Sequence, residues 1–324
     1  NMDAAVYGAR ASYIGGAAGT ATVLAGQMFG IPVSGTMAHS WVMYYKDEYE
    51  AFRHYAENYP DNTVLLVDTY DTIKSGIPNA IRVAREVLEP MGKRLKGIRI
   101  DSGDLAYQSI KVRKMLDDAG LTDCKIIVSN SLDEHTISSL NMQKARIDGY
   151  GVGERLITGA SSDYSEDSIS LLGAVYKIAA VEENGGFAPR IKVSGSVEKI
   201  TNPGLKKVYR VYDQNGKAKA DLIAKADETI DMSQEFRFVD PDMPWRNLKF
   251  AHCTVRPLQE KIFENGKLVY KLPTLNEIRA YVKKQLDEEI WEEEQRFVNP
   301  HKHYMDMTPD YYDMKMSLLN NSRV

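Results

Sequence analysis

Cysteine is nearly absent from this sequence of 324 residues, which contains only Cys124 and Cys253. The two belong to no CxxC motif or Cys/His cluster, which excludes a disulfide framework and a cysteine zinc site. An apolar run of about 18 or more residues is also missing, and the first residues lack the basic flank and apolar stretch of a signal peptide. These absences predict a globular, untargeted protein of the reducing cytoplasm.

Neither sign of charge is in clear excess, since 41 Lys and Arg stand against 45 Asp and Glu and the formal net charge is −4. Such a balance provides no field that would attract nucleic acid or an anionic membrane, so any bound anion needs a local site. The hydrophobic content of 43% suffices for one large core or two smaller ones. Helical spacing of apolar residues already begins between Asp3 and Ile14, so we expect a further portion of chain upstream.

Strand and helix patterns alternate over the first 180 residues. Short β-branched runs occupy 31–35, 63–67, 97–100, 125–129 and 146–153. Helical patterns occupy 40–58, 73–90, 104–119 and 133–143. This spacing is typical of βα units, and the continuous apolar strands indicate a parallel sheet buried on both faces. The pattern alone leaves both a barrel and a doubly wound sheet open.

Polar or glycine residues follow every predicted strand, namely His39, Asp68, Asp101, Asn130 and Gly151. In barrels and open parallel sheets alike, the carboxyl ends of the strands are where ligands bind. Each residue also has a structural alternative, because an isolated histidine is often structural and aspartates such as Asp104 and Asp133 are ordinary helix N-caps. Five such positions in succession favour a composite active site.

The chemistry of these positions suits a phosphorylated sugar. Asp101 and Asp104 carry carboxylates that can hold ribose hydroxyls or a magnesium shell, and Gly103 between them leaves room for a close approach. Gly151 and Gly153 in "YGVG" can present backbone N–H groups to a phosphate.

The composition changes after residue 180, which predicts two domains, 1–180 and 181–324. Strand patterns at 207–213 and 217–225 flank the turn "DQNGK", which predicts a hairpin. A capping box at Thr274 and Glu277 opens an amphipathic helix that we expect to extend to residue 297.

His301 and His303 lack neighbouring ligand residues and are predicted to be surface histidines. A basic patch includes Lys192, Ser194, Lys199, Lys206, Lys207 and Arg210, and is either a solvated face or a surface that closes over a pyrophosphate.

Six motifs occur in a fixed order, "GTMAHS", "LLVDTYDT", "GIRIDSGDL", "SNSLDE", "YGVGERLIT" and "KVSGSVEKITNPGLKKVYR". This series resembles the nicotinate phosphoribosyltransferases, from about residue 2 to beyond residue 300. The resemblance implies an α/β fold, an irregular βα barrel of the type II phosphoribosyltransferase kind, with a second, smaller β-containing domain and C-terminal helices. It also implies a homodimer.

The activity implied by the resemblance belongs to NAD biosynthesis. Nicotinate and phosphoribosyl pyrophosphate would give nicotinate mononucleotide and pyrophosphate, with Mg²⁺ as cofactor and ATP as a co-substrate that phosphorylates His39. Asp68 would orient the His39 ring, and Arg99 and Asp101 would lie beneath the nucleotide. The remaining substrate-binding positions would be Gly103, Asp104, Ser129, Asn130, Gly151 and Gly153.

Two departures from the family pattern concern the phosphate contacts. Glu154 stands where many members have threonine, and Asn130 with Ser131 stands where many have Gly-Asp. Two other hypotheses remain open. One is a different barrel enzyme acting on a sugar phosphate, although no strand end offers a lysine for a Schiff base. The other is a catalytically incomplete fragment that only binds nucleotide, because the family's N-terminal portion has no counterpart here.

Overall fold

The computed structural model describes residues 2–158, 177–193, 200–232 and 234–321. The chain divides into two compact units, residues 1–13 with 17–173 and residues 14–16 with 174–324. The predicted boundary after residue 180 stays a prediction, because residues 159–176, close to it, lie outside the described ranges. Within those ranges we find no helix long and apolar enough to cross a membrane.

The first unit is built of βα repeats. Its strands are β1 (Val64–Leu66), β2 (Gly97–Ile100), β3 (Lys125–Val128) and β4 (Gly149–Tyr150). Its helices are α1 (Met2–Ile14), α2 (Val23–Phe29), α3 (His39–Tyr44), α4 (Glu48–Asn58), α5 (Ile77–Val83), α6 (Leu105–Asp118), α7 (Glu134–Met142) and α8 (Glu154–Thr158). The four strands form one parallel sheet in the order of the sequence.

The core of this unit lies between the sheet and its helices. Leu65, Ile98 and Ile126 on neighbouring strands are fully buried, as are Phe52 of α4 and Leu116 of α6. Burial on both faces explains why the strands are continuous apolar runs rather than alternating ones. The predicted strands at 63–67, 97–100 and 125–129 are confirmed to within one residue at either end.

Four predicted elements of this unit differ in the structure. The strand predicted over 146–153 is shortened to β4, Gly149–Tyr150. The run 31–35 forms no strand, only an isolated bridge between Thr20 and Val33. The predicted helix over 40–58 is interrupted at Tyr45, because Asp47 caps a new helix by accepting a hydrogen bond from the Glu50 backbone N–H at 2.9 Å. The predicted helix over 73–90 contains α5 between two wider π-type turns, Thr72–Gly76 and Ala84–Leu88.

The second unit is dominated by β structure. Its strands are β5 (Ala180–Glu183), β6 (Gly186–Pro189), β7 (Lys206–Tyr212), β8 (Ala218–Lys225), β9 (Phe236–Val239), β10 (Asn247–Phe250), β11 (Thr254–Pro257), β12 (Phe263–Glu264), β13 (Lys267–Leu268) and β14 (Met305–Met307). Its helices are α9 (Leu275–Lys284) and α10 (Pro309–Asn321). Six strands form one sheet in the order β10-β9-β14-β8-β7-β11, antiparallel except for the parallel pair β14 and β8.

Local predictions for this unit are confirmed in part. The turn "DQNGK" joins β7 to β8, and the Asp213 backbone N–H donates to the Lys217 carbonyl. The capping box at Thr274 and Glu277 is formed, but α9 ends at Lys284, well before residue 297. A parallel sheet with helices and a separate sheet in the second unit together give the predicted mixed α/β architecture.

Candidate active site

The candidate site lies at the carboxyl edge of the parallel sheet. Asp68 follows β1, Asp101 follows β2, Ser129 follows β3 and Gly151 follows β4. A parallel sheet brings these four strand ends to one edge. A cavity of about 470 Å³ opens there, lined by Arg99, Asp101, Ser129, Asn130, Ser131, Leu132, Gly151, Gly153, Glu154 and Arg155. Six of the predicted substrate-binding and catalytic residues therefore share one pocket.

Arg99 is fixed by hydrogen bonds in three directions. Its Nε donates to the Ser129 Oγ at 2.8 Å, one Nη donates to the Thr36 Oγ1 at 3.0 Å, and the other donates to the Asp101 Oδ1 at 3.1 Å. The planar guanidinium thus ties β2 to β3 and to the loop that precedes α3. Because its side chain is already ordered, Arg99 loses little conformational entropy when a ligand binds next to it.

Asp101 is the common acceptor of this network. The hydroxyl of Ser129 donates to the same Oδ1 that accepts from Arg99. Partial burial alone would raise the pKa of Asp101, but the hydrogen bonds from Ser129 and Arg99 outweigh it and hold that pKa below its usual value. Asp101 is therefore an ionised acceptor facing the cavity.

His39 begins α3, and its side chain is 40% exposed. Its Nδ1 lies 3.0 Å from the Thr69 Oγ1, and its Nε2 lies 3.6 Å from the Asp101 Oδ2. The structure thus differs from the predicted contact, because Thr69 rather than Asp68 hydrogen-bonds to the ring. The sequence offered a signal for this, since Thr69 immediately follows Asp68 in the same motif.

Asp68 instead organises the backbone after β2. Its Oδ2 accepts from the Asp101 backbone N–H at 2.8 Å and from the Ser102 hydroxyl at 2.6 Å. Its Oδ1 is buried and has no hydrogen-bond partner among the described residues. Asp68 therefore holds the turn that presents Asp101, rather than the histidine itself.

A buried carboxyl lies close behind this turn. Glu48 of α4 accepts hydrogen bonds from the side chains of Ser75 and Asn79. Burial raises the pKa of Glu48, and the nearby carboxylates of Asp68 and Asp71 raise it further. Glu48 could not be identified from the sequence, because a glutamate in the first turn of a helix is usually exposed.

The loop after β3 has an unusual backbone. Asn130 and Ser131 both have positive φ, 95° and 46°, a region that favours glycine. Asparagine is among the residues that adopt it most readily, and such strain is common where a loop shapes a site. Asn130 therefore adopts a backbone conformation that a glycine would adopt without strain.

The glycines after β4 differ from each other. The Gly151 N–H already donates to the Val128 carbonyl at 2.7 Å, so it is not free for a phosphate, contrary to our prediction. A Cβ on Gly153 would meet nothing within 4 Å, because that position faces open space. Of the two, Gly153 is the position where a ligand can approach the backbone.

Two further predicted positions have local structural roles. Asp104 is the N-cap of α6 and accepts from the Tyr107 backbone N–H at 2.9 Å. Gly103 has φ of 75°, and a Cβ there would clash with the side-chain amide of Gln108. Neither residue lines the cavity, and both lie in the turn that begins α6, so their assignment to substrate binding stays a prediction.

Arg155 is a cavity residue that the sequence analysis did not find. It lies in α8 and pairs with Asp133, whose side chain is only 2% exposed. Asp133 also caps α7 through the Thr136 backbone N–H at 2.7 Å. Arg155 directly follows Glu154 in "GVGERL", and both side chains line the cavity. The arginine therefore places a positive charge beside the negative charge of Glu154.

The described residues at this edge of the sheet do not form a cluster of metal-binding side chains. Across the described ranges, no group of three or more His, Cys, Asp or Glu side chains could hold a metal ion. Asp101 and Glu154 are the two carboxylates that line the cavity, and Asp101 already accepts hydrogen bonds from Arg99 and Ser129.

Comparison with known families gives two matches that together cover most of the chain. Residues 10–231 match the nicotinate phosphoribosyltransferase (NAPRTase) family, and residues 205–315 match the nicotinate phosphoribosyltransferase C-terminal domain.

Curated relatives agree with these matches. A nicotinate phosphoribosyltransferase of Bacillus subtilis is 47% identical over 322 residues, which is 98% of this chain and 63% of that protein. One from Dictyostelium discoideum is 35% identical, covering 96% of this chain and 60% of that protein. The chain thus spans less than two thirds of the length of both relatives.

Solved structures show the same fold. The crystal structure of human nicotinic acid phosphoribosyltransferase superimposes with a TM-score of 0.75 at 26% identity, over 96% of this chain and 66% of that one. A nicotinate-nucleotide pyrophosphorylase from Pyrococcus furiosus gives a TM-score of 0.57 at 27% identity, over 86% and 61%. The parallel sheet and the second sheet unit are those of the type II phosphoribosyltransferase fold.

Proposed function

Because the chain belongs to the nicotinate phosphoribosyltransferase family, we propose that it forms nicotinate mononucleotide and pyrophosphate from nicotinate and phosphoribosyl pyrophosphate. The product is a precursor in NAD biosynthesis. The observation that carries the proposal is the network of Arg99, Asp101 and Ser129 in an open cavity at the carboxyl edge of the sheet.

The cavity has the groups that a phosphoribosyl donor requires. The ionised Asp101 can accept hydrogen bonds from ribose hydroxyls, and Arg99 keeps that carboxylate in place. Gly153 lets a phosphate approach the backbone, while Arg155, paired with Asp133, offers further N–H donors on the same wall. Cleavage of the glycosidic bond has an oxocarbenium-like transition state, so a fixed carboxylate near the sugar stabilises the positive charge that develops.

ATP coupling through His39 is the finer part of the proposal. If the Nδ1–H donates a hydrogen bond to Thr69, then Nε2 holds the lone pair that attacks the γ-phosphorus of ATP, which breaks the bond to the bridging oxygen and releases ADP. Asp101, 3.6 Å from Nε2, would stabilise the positive charge on the phosphorylated ring. The 40% exposure of the side chain leaves room for a bulky phosphate donor to reach it.

Mg²⁺, the homodimer and the cytoplasmic location stay predictions. The donor set at the cavity does not form a metal site of its own, so any magnesium would be held chiefly by the pyrophosphate oxygens of the substrate. No step proposed for this chain passes through the metal.

Product analysis with two acceptors in parallel tests the proposal. The purified protein is incubated with phosphoribosyl pyrophosphate and ATP, and with either nicotinate or nicotinamide, and nucleotide products are separated by mass. We expect nicotinate mononucleotide with pyrophosphate, and at least tenfold less product from nicotinamide. Binding of phosphoribosyl pyrophosphate without any product would favour the incomplete fragment, and product from another acceptor would favour a different enzyme.

A further inference from the structure

The loop that leads to His39 is tied to the parallel sheet by one side chain. Among the described residues, loop 34–38 makes a single side-chain hydrogen bond to a strand of that sheet, in which an Nη of Arg99 donates to the Thr36 Oγ1 at 3.0 Å. The Thr36 hydroxyl donates in turn to the Met37 carbonyl at 3.1 Å, and Met37 is buried in the core. Thr36 therefore fixes the loop against the guanidinium of Arg99, close in sequence to His39.

Arg99 and His39 also meet at the same carboxylate. The other Nη of Arg99 donates to the Asp101 Oδ1 at 3.1 Å, and the His39 Nε2 lies 3.6 Å from the Asp101 Oδ2. The side chains of Arg99 and Asp101 are both 27% exposed, so solvent screens their charges only in part. A phosphoryl group on Nε2 would therefore lie within reach of the guanidinium.

Phosphorylation of His39 would add negative charge beside an ionised carboxylate. A phosphoryl group on a side chain carries about two negative charges at neutral pH. Its repulsion from Asp101 has to be offset by a cation nearby. Arg99 and Arg155 are the two cationic side chains that line the cavity, and Arg155 is already paired with the buried Asp133. Arg99 is therefore the side chain best placed to neutralise the phosphoryl group.

We propose that Thr36 occupies one Nη group of Arg99 only while His39 is unphosphorylated, and that the phosphoryl group on Nε2 replaces Thr36 as the hydrogen-bond acceptor. A phosphoryl oxygen is the stronger acceptor, because a hydrogen bond between two ions is stronger than one to a neutral hydroxyl. Arg99 keeps its contacts with Asp101 and Ser129 during this exchange, while loop 34–38 loses its hydrogen bond to the sheet. Thr36 is thus a positioning residue that acts through Arg99. The proposal rests on the phosphorylation of His39 proposed above.

The equilibrium between ATP and the labelled protein tests this exchange. The protein is incubated with γ-labelled ATP and ADP at several ratios, without nicotinate or phosphoribosyl pyrophosphate, and the base-stable label is measured. Because the hydrogen bond of Thr36 stabilises only the unphosphorylated protein, Thr36→Val should shift the equilibrium toward the labelled form by about fivefold or more. Thr36→Ser keeps the hydroxyl and should give the wild-type equilibrium constant.

A gain of label separates the exchange from a merely structural role, because damage to the site would lower the label instead. Thr36→Ala removes the same hydroxyl and provides a second variant if Thr36→Val does not fold.

His303 of the second unit also has carboxylate neighbours, but we do not expect it to take the label. It was predicted to be a surface histidine, whereas the structure shows it half-buried, with its Nδ1 2.9 Å from Glu294 and its Nε2 3.4 Å from Asp221. The carboxylates of Asp221 and Glu294 raise the pKa of His303, although burial opposes the shift. A protonated ring has no lone pair with which to attack phosphorus.

Three outcomes of the labelling experiment would contradict the proposal. An unchanged equilibrium constant in the Thr36→Val protein would assign the compensating charge to another cation, such as Mg²⁺ carried by ATP. A lower constant would show that Thr36 only holds the loop in place. Absence of label from the wild-type protein would overturn ATP coupling together with this inference. Failure of the transferase proposal would not affect the measurement, because neither substrate of the transfer is present.

Discussion

At the scale of single residues, each nitrogen of the His39 ring has a polar neighbour. The Thr69 hydroxyl lies next to Nδ1, and the Asp101 carboxylate lies next to Nε2. If this ring is the phosphate acceptor, γ-labelled ATP should leave acid-labile, base-stable label on the protein. His39→Ala should abolish the label and the stimulation by ATP, with some slow transfer remaining because Arg99 and Asp101 still position the reactants.

A second histidine provides the control for that experiment. His54 lies on α4, where it contacts Glu50 and Glu57, and its loss should not change the labelling. Thr69→Val removes the hydrogen bond to Nδ1 and should slow labelling several-fold without abolishing it. Full labelling of the His39→Ala protein would place any ATP chemistry elsewhere.

The buried Asp306 predicts a pH-dependent stability difference. Because its folded pKa of about 6 exceeds the usual 3.8, its favourable contribution is complete below pH 3.8 and is lost as the pH rises through 6. Asp306→Asn should therefore have a higher free energy of unfolding than wild type at pH 8, by at most about 3 kcal/mol, and a higher melting temperature. At pH 4 the difference in stability should be much smaller.

Thermal unfolding of both proteins in amine-free buffer measures this difference. Asp310→Asn serves as the matched loss of an exposed carboxylate, and its melting temperature should follow that of wild type across the range. The same advantage for Asp306→Asn at pH 4 and pH 8 would show that Asp306 does not titrate differently in the folded protein.

Single residues were predictable where their chemistry was tied to a strand end. Arg99, Asp101 and Ser129 were identified in sequence and meet in the structure, because parallel strands in sequence order bring their ends together. Asp104 caps α6 in the structure, a role that the sequence could not separate from ligand binding because an N-cap and a ligand-binding aspartate look alike in sequence. Arg155 was missed because its role depends on the distant Asp133, and a pairing of that kind leaves no local pattern.

The loop after β4 decides phosphate access at the scale of elements. A Cβ at Gly153 would enter open space beside the cavity, and φ there is not in the left-handed region. A protein with a larger side chain at this position should therefore fold, but the side chain would block the path of a phosphate to the backbone. Gly153→Val should raise the KM for phosphoribosyl pyrophosphate at least tenfold with little change in melting temperature.

Gly149 supplies the control within the same strand and loop. A Cβ there would lie 3.6 Å from the Ile127 side chain, an ordinary contact, so Gly149→Ala should leave KM near the wild-type value. An unchanged KM in the Gly153→Val protein would remove this loop from phosphate binding.

Elements were predictable where burial alone determined them. Strands β1, β2 and β3 are short apolar runs, and their bounds follow from the sequence almost to the residue. The run 31–35 has apolar residues at Ile31 and Val33, but it also contains Pro32 and Gly35, which weaken a strand. It forms only the bridge between Val33 and Thr20. Likewise, the helix predicted over 40–58 is interrupted at Tyr45 because Asp47 caps a new helix, α4. The apolar periodicity of the sequence continues through this interruption and does not reveal it.

At the scale of the whole molecule, each unit has its own core and its own cavity. The first core centres on the parallel strands and the second on residues such as Val211, Leu222 and Phe238 of the larger sheet. The transferase proposal depends on the first cavity alone.

The central claim is that the chain transfers phosphoribose at the cavity around Asp101. The most direct test measures nicotinate mononucleotide formation by wild type, Asp101→Asn and Asp104→Asn under the same conditions. We expect Asp101→Asn to lose at least a hundredfold in kcat/KM while its melting temperature stays near that of wild type. Asp104→Asn preserves the cap of α6 and lies outside the cavity lining, so it should keep most of the activity. Equal activity of the Asp101→Asn and wild-type proteins would contradict the account.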